Sequence, residues 1–306
     1  MQSITLPQLE LLEVGPRDGL QMETQPLATP VKVELIERLM RAGVRRIEVT
    51  SFVHPKKVPQ MADAESVLSA LHRPDGVIFT GLVVNLRGLQ RAVAAGCSEV
   101  GMVVIASDTF NRRNQGVSTE QSIADWRQIA AAARAAGLRA QITISAAFGC
   151  PFEGDVPLAR VLEIGRRVAE AGPVEICFAD TIGVGVPSQV TELLGRAREL
   201  LPTMPLRCHF HNTRNTGYAN AAAAIAAGVA TLDASIGGIG GCPFAPAATG
   251  NIASEDLLYL IERSGIRSGI SLPAMIETAT WLEQQLGHKI PGLVSKAGPF
   301  PRAAAR

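Results

Sequence analysis

The sequence predicts an α/β fold of the (β/α)8 TIM-barrel class with a C-terminal helical extension. Short, apolar, β-branched runs alternate with Ala-, Leu- and Arg-rich segments of helical period along nearly the whole chain. This beat occurs eight times at near-regular spacing, as a closed barrel requires. An Ala-Gly pair punctuates the chain at Gly43, Gly96, Gly137, Gly172 and Gly228, where a left-handed residue is expected to end a helix.

In order, strands are expected at LLEV from Leu11, RIEVTS from Arg46, VIFTGLVV from Val77 and EVGMVVIA from Glu99. The next four are AQITISAAF from Ala140, VEICFAD from Val174, LRCHFH from Leu206 and TLDASIG from Thr231. Helices are expected between them, among them Val31–Arg41, Thr119–Ala136, Leu158–Ala171 and Gln189–Leu200. An open doubly wound sheet is the alternative, but no GxGxxG follows the first strand. A further helix, Leu272 to Leu286, extends beyond the eight beats and suits a cover over one barrel end or a contact with another subunit. No low-complexity linker interrupts the chain. The expectation is one domain over 1–306, with the barrel at about 9–266 and the extension at about 267–306.

A hydrophobic fraction of 47% over 306 residues supplies a substantial core, and a formal net charge of +1 offers no basic field for nucleic acid. The most apolar helical stretch, Ala219–Ala227, is too short to cross a bilayer core of ~30 Å. The opening residues, MQSITLPQLELLEV, lack the basic start and long apolar run of a secretory signal. Cys97, Cys150, Cys177, Cys208 and Cys242 contain no CxxC pair, a poor disulfide framework that suits a reducing cytoplasm.

In a barrel of this kind, polar residues at the C-terminal ends of the strands converge on one mouth. Strand one ends in Gly15-Pro16-Arg17-Asp18-Gly19-Leu20-Gln21, strand two carries Glu48, and strand six ends in Asp180-Thr181. Strand seven carries His209 and His211, and strand eight runs into Gly237–Gly241 and Cys242. Alternate residues of a strand face one side, so both imidazoles can meet one ion. Asp18 adds a carboxylate from a neighbouring mouth position, because strand one closes the ring against strand eight. Two imidazoles with oxygen ligands suit Mg²⁺, Mn²⁺, Co²⁺ or Zn²⁺ acting as a Lewis acid. Arg17 reads either as a local ion-pair partner or as a guanidinium for a developing oxyanion. Asp180 reads either as a helix cap or as a catalytic acid. Glu48, flanked by apolar residues, is costly to bury without a partner such as Arg17. A glycine-rich loop delivering Cys242 fits lid closure and proton transfer.

GPRDGLQ at Gly15–Gln21, IEVTSFVHPKKVPQMAD from Ile47, FGCPFEG from Phe148, DTIGVG at Asp180 and GGIGGCPFAPAATGN at Gly237–Asn251 resemble the 3-hydroxy-3-methylglutaryl-CoA lyase family. That family belongs to the barrel metallolyases, which also include isopropylmalate and citramalate synthases. The resemblance runs from about Leu11 to Leu286. It implies that Asp18, His209, His211 and Asn251 ligate a divalent metal, Mg or Mn foremost. It further implies that Arg17 stabilises an enolate oxygen, that Glu48, Asp180, His209 and Cys242 take part in catalysis, and that Arg17, Gln21 and Thr181 contact substrate. Asn251 enters through the resemblance alone.

Two departures from the family pattern stand out, one after strand seven and one after strand one. Asn212 and Arg214 stand where relatives carry Asp and an aromatic or small residue, which leaves two readings, lining or bracing the acyl pocket. Thr24 replaces a lysine near the CoA, which shifts the expected phosphate contacts to residues such as Arg112 and Arg113.

The expected activity is retro-Claisen cleavage of a 3-hydroxyacyl-CoA, the 3-hydroxy-3-methylglutaryl ester or a close analogue, to acetyl-CoA and a keto acid such as acetoacetate. His209 and Asp18 both remain candidates for the base. The rivals are a Claisen-condensing synthase using acetyl-CoA and a 2-keto acid, and a metal-dependent aldolase acting on free hydroxy acids. The expected partners are the acyl-CoA substrate, whose CoA is part of the substrate, and further copies of the chain in a dimer or larger homo-oligomer; nucleic acid and membrane are not expected.

Overall fold

The structure is a computed structural model that describes residues 9–241 and 250–301. Eight parallel strands close in chain order: β1 (Glu10–Glu13), β2 (Arg46–Ser51), β3 (Ile78–Leu82), β4 (Glu99–Ile105), β5 (Arg139–Ser145), β6 (Ile176–Asp180), β7 (Leu206–Phe210) and β8 (Thr231–Ala234). β8 pairs back onto β1 with Leu12 opposite Asp233, which seals the barrel. Helices α1 (Thr29–Arg41), α2 (Ala64–Ala70) and α3 (Leu86–Ala94) follow the first three strands, and both α4 (Asp108–Gln115) and α5 (Thr119–Ala135) follow β4. After them come α6 (Leu158–Ala169), α7 (Pro187–Leu200), α8 (Gly217–Ala226), α9 (Ser254–Arg263), α10 (Leu272–Leu286) and the short α11 (Val294–Ala297).

All eight expected strands form, and all five Ala-Gly glycines have positive φ, from 65° at Gly172 to 105° at Gly43. The strand expected to run on to Phe148 stops at Ser145, because Ala146 turns into the left-handed region at φ 56°. No helix was expected over α4. Its sequence, DTFNRRNQ, has a single large apolar residue, so it shows no helical period; Ser107 Oγ caps it by accepting from Phe110 N at 3.2 Å.

Each strand sorts its residues by alternation. Ile47, Val49, Val100, Val104, Ile142, Ile144, Ile176, Phe178, Leu206, Phe210 and Leu232 join the hydrophobic cluster that includes Leu35, Leu39, Ile123, Ile164 and Leu193 of the helices. The intervening positions carry polar groups. Arg46 pairs with Glu99 at 2.7 Å and Glu175 at 2.6 Å, and Arg207 pairs with Asp233 at 3.2 Å, all of them buried. The barrel axis is therefore filled by ion pairs, and the apolar core lies between sheet and helices. α10 packs on α1 and α9, with the Arg38 guanidinium 4.7 Å above the Trp281 ring.

Candidate metal centre and active site

The turn after β1 sets the first half of the site. Val14 O accepts from Asp18 N at 2.7 Å and Gly19 N at 3.3 Å, closing one π-helical turn over Gly15–Gly19. A Cβ at Gly15 would sit 2.7 Å from Glu13 Oε1, so this tight turn needs glycine there. The turn aims Arg17 at Glu48 of β2, with Nε and Nη2 at 2.7 and 2.5 Å from Oε2, while Nη1 reaches Asp18 Oδ1 at 2.6 Å. Burial opposes the Arg17 charge, but Glu48 and Asp18 overcome it and raise its pKa. Burial raises Glu48 above the ordinary carboxylate range despite the Arg17 contact. Asp18 resists the same burial because Arg17, His209 and His211 lower it to about 2.

The second half comes from β7. His209 and His211 lie on one face, ring centroids 5.0 Å apart, and one ligand-type atom from each falls within 4.8 Å of the others and of an Asp18 oxygen. Asn251 arrives from 40 residues beyond His211 by a single antiparallel bridge to it, reinforced by Asn212 N donating to Gly250 O at 2.9 Å. Its Nδ2 donates to Asp18 Oδ2 at 3.0 Å and Ile239 O at 3.1 Å. A Cβ on Gly240, at φ 122°, would lie 2.5 Å from that Nδ2, so the close approach of loop and amide requires glycine. Burial, then the neighbouring His209, lowers His211 to about 3, which keeps it neutral and ligand-ready.

Two buried atoms here, His211 Nδ1 and Asn251 Oδ1, have no hydrogen-bond partner among the described residues. Leaving such atoms unsatisfied costs about 1–3 kcal/mol each. A cation facing a carboxylate, two imidazoles and an amide oxygen is what this donor set suits. The residues therefore fit the expected metal.

The cluster lines a cavity of about 570 Å³ at the barrel mouth, together with Gln21, Glu48 and Thr181. Gln21 Oε1 is buried without a partner among the described residues, and Thr181 Oγ1 accepts from Ala146 N at 2.9 Å. Asp180 lies outside the cavity wall: its oxygens accept from Val184 N and Gly185 N, each at 2.9 Å, so it shapes the loop after β6. Cys242 lies outside the described residues; Gly241, just before it, lines the cavity. Arg214 Nη1 donates to Ile182 O at 3.1 Å and Gly183 O at 3.0 Å, and Asn212 Oδ1 accepts from Gly217 N at 3.1 Å, so both brace loops and neither lines the cavity. Arg112 pairs with Asp108 and Arg113 lies over the Phe152 ring, and neither lines the cavity, whereas Lys57 does.

Sequence reasoning missed Asp233, Arg207, Gln141 and Thr143 on the cavity floor. The signal was available for Arg207, which precedes His209 by two residues and so shares its face.

A closed parallel barrel with a cation-type donor cluster and a clamped arginine at its mouth is the frame of a barrel enzyme with a candidate metal site. Residues 8–282 match the HMGL-like family model. The chain is 46% identical to an (R)-citramalyl-CoA lyase of Chloroflexus aurantiacus, covering 100% of this chain and 98% of that protein. It is 40% identical to a hydroxymethylglutaryl-CoA lyase of Bacillus subtilis, covering 91% and 93%. The solved structure of an HMG-CoA lyase from Acinetobacter baumannii, in complex with coenzyme A and 3-methylmalate, superposes with a TM-score of 0.92 at 38% identity, covering 98% of each chain. The chain belongs to the HMGL-like family and is a carbon–carbon lyase.

Proposed function

We propose that the chain cleaves a 3-hydroxyacyl-CoA, either the 3-hydroxy-3-methylglutaryl ester or the one-methylene-shorter citramalyl ester, to acetyl-CoA and a keto acid. The observation that carries this reading is the convergence of Asp18, His209 and His211 within 4.8 Å beside a guanidinium pinned by Glu48. Asp18, His209, His211 and Asn251 would hold the cation, Mg²⁺ or Mn²⁺, which when bound supplies Lewis-acid polarisation of substrate oxygens.

The chain's own residues do the rest. Glu48 takes the proton of the C3 hydroxyl: burial raises its basicity, it lines the cavity, and no hydrogen bond among the described residues engages Oε1. Asp18, at about 2, is a far weaker base. The O–H electrons become the keto C=O, the C2–C3 bond breaks, and its pair passes into the acetyl-CoA enolate. Arg17 faces that enolate oxygen in an orientation fixed beforehand by Glu48 and Asp18, so little reorganisation is needed as charge develops. A proton returned to C2 completes acetyl-CoA; the Cys242 loop is the expected source. Gln21 and Thr181, which both line the cavity, would hold the acyl portion.

The four described cysteines are free, in keeping with a reducing cytoplasm, and no helix among the described residues is long and apolar enough to cross a membrane. The test is acetyl-CoA release from a panel of 3-hydroxyacyl-CoAs and the matching free acids, with Mg²⁺ or Mn²⁺ and after exhaustive chelation. The expected result is cleavage of CoA esters only, lost on chelation and restored by metal. Full activity in chelated protein would remove the metal from the reaction, and cleavage of the free acids would replace the lyase by the aldolase reading.

A further inference from the structure

The β7–β8 register sets His209 directly against Asp233, whose Oδ2 lies 3.2 Å from His209 Nδ1. The other oxygen, Oδ1, accepts from Arg207 Nη1 at 3.2 Å. Arg207 is itself immobilised by Thr143 Oγ1 at 3.1 Å, by Gln141 Oε1 and by Glu175. Asp233 is 5% exposed and Arg207 1%, so this is a carboxylate and a guanidinium taken out of water to meet one ring nitrogen. A neutral imidazole has one N–H, and only its bare nitrogen has a lone pair to ligate. The hydrogen bond at one nitrogen therefore decides what the other can do.

We propose that Asp233 is a positioning residue that accepts the Nδ1 proton of His209 and so leaves Nε2 bare toward Asp18 and His211, with Arg207 clamping Asp233 in that orientation. The inference rests on reading Asp18, His209 and His211 as the cation site. Among the described residues His211 has no such partner at Nδ1 and is held through its backbone bridge to Asn251, so the two imidazoles are fixed by different devices.

Arg207 makes the proposal sharply testable. In Asp233→Asn, the guanidinium has only hydrogens to offer, so the amide oxygen must stay on its side and the NH₂ must face His209 Nδ1. The ring is then forced to carry its proton on Nε2, where no lone pair remains for a cation. Asp233→Ala removes the partner but leaves the ring free to choose. Mn²⁺ alone is titrated into metal-free protein and followed by electron paramagnetic resonance. Affinity is expected to fall 10–100-fold in Asp233→Asn and by less in Asp233→Ala. A merely structural ion pair predicts the reverse order, because alanine takes one of Arg207's two carboxylate partners and opens a void.

Nitrogen NMR of histidine-labelled, metal-free protein at alkaline pH reads the tautomer without any cation. The parent should carry the His209 proton on Nδ1 and Asp233→Asn on Nε2. A parent ring protonated on Nε2 overturns the proposal even if no variant folds, and so does Asp233→Ala binding Mn²⁺ no better than Asp233→Asn. His211→Ala, which leaves Asp233 and His209 intact, tests the cation-site reading separately: it should abolish Mn²⁺ binding while the His209 tautomer stays as in the parent.

Discussion

At the scale of single residues, the site depends on atoms that the fold leaves unsatisfied and on charges that it overcommits. Arg17 places its fork on two carboxylates, with three contacts between 2.5 and 2.7 Å. Lysine keeps the charge but not the planar geometry, so Arg17→Lys should lower kcat by about 10²–10³ with KM little changed. A change confined to KM would place Arg17 in ground-state binding instead. Glu48→Gln should also lower kcat, since an amide cannot take a proton, and steady-state kinetics checks both variants. The His209-x-His211 pair was legible because strand alternation puts both rings on one face. Asn251 was not legible from spacing, because a one-residue bridge brings it to His211 across a distant stretch of chain. Asp233 was missed for a related reason: only the β7–β8 register reveals that it opposes His209.

At the scale of elements, the loops around the mouth are held by groups with no contact to the cavity. Arg214 donates to two carbonyl oxygens of the loop after β6, and Asn212 caps the turn into α8. Changing Asn212 to Asp together with Arg214 to Tyr should therefore leave the ratio of kcat/KM between competing CoA esters unchanged while lowering stability by about 1 kcal/mol. A shifted ratio in a competition assay would return these residues to the substrate pocket.

The turn after β8, Ile236–Gly238, rests on two buried carboxylates: Glu13 Oε1 accepts from Ile236 N at 2.8 Å and Glu255 Oε2 from Gly237 N at 2.9 Å. Burial raises Glu13 to about 7 and Glu255 to about 8, against 4.5 for the free side chain. The folded state thus keeps protons that the unfolded chain releases above pH 4.5. That contribution to stability is fully present below pH 4.5 and is lost as pH rises through 7 and 8. Denaturant midpoints should fall over this window, and Glu255→Gln, neutral at every pH, should flatten the decline. An equally steep decline in the variant would show that Glu255 is already ionised. The strands were legible as elements because short, largely apolar runs, most of them with β-branched residues, recur between helical segments. α4 was not, since its one large apolar residue, Phe110, sets no period; the Ser107 cap and the burial of Phe110 among Ile105, Ala146 and Ile182 hold it.

At the scale of the whole molecule, the barrel inverts the usual division between core and charge. The closed sheet buries its apolar residues outward against the helices, while its axis is a column of ion pairs from Arg46, Glu99 and Glu175 through Arg207 and Asp233 to His209 and the mouth. The eight-beat pattern announced the barrel, but not this filling: charged residues among apolar neighbours read as scattered until closure brings them onto one axis. Arg46 anchors the far end of the column and contacts none of the mouth residues. Replacing it by methionine would leave Glu99 and Glu175 short of their shared cation in a buried site. Breaking a buried pair from one side costs about 3–5 kcal/mol, and here Glu99 keeps only Arg139 and Glu175 only Arg207 among the described cations. Arg46→Met should accordingly lose that much stability in denaturant titration, with kcat per folded molecule and Mn²⁺ affinity close to the parent's. His211→Ala should give the opposite result, with activity and metal affinity lost and stability nearly retained. If Arg46→Met instead weakened Mn²⁺ binding at unchanged stability, the column would be acting as one electrostatic unit from floor to mouth, and the separation of a structural floor from a chemical mouth would be wrong.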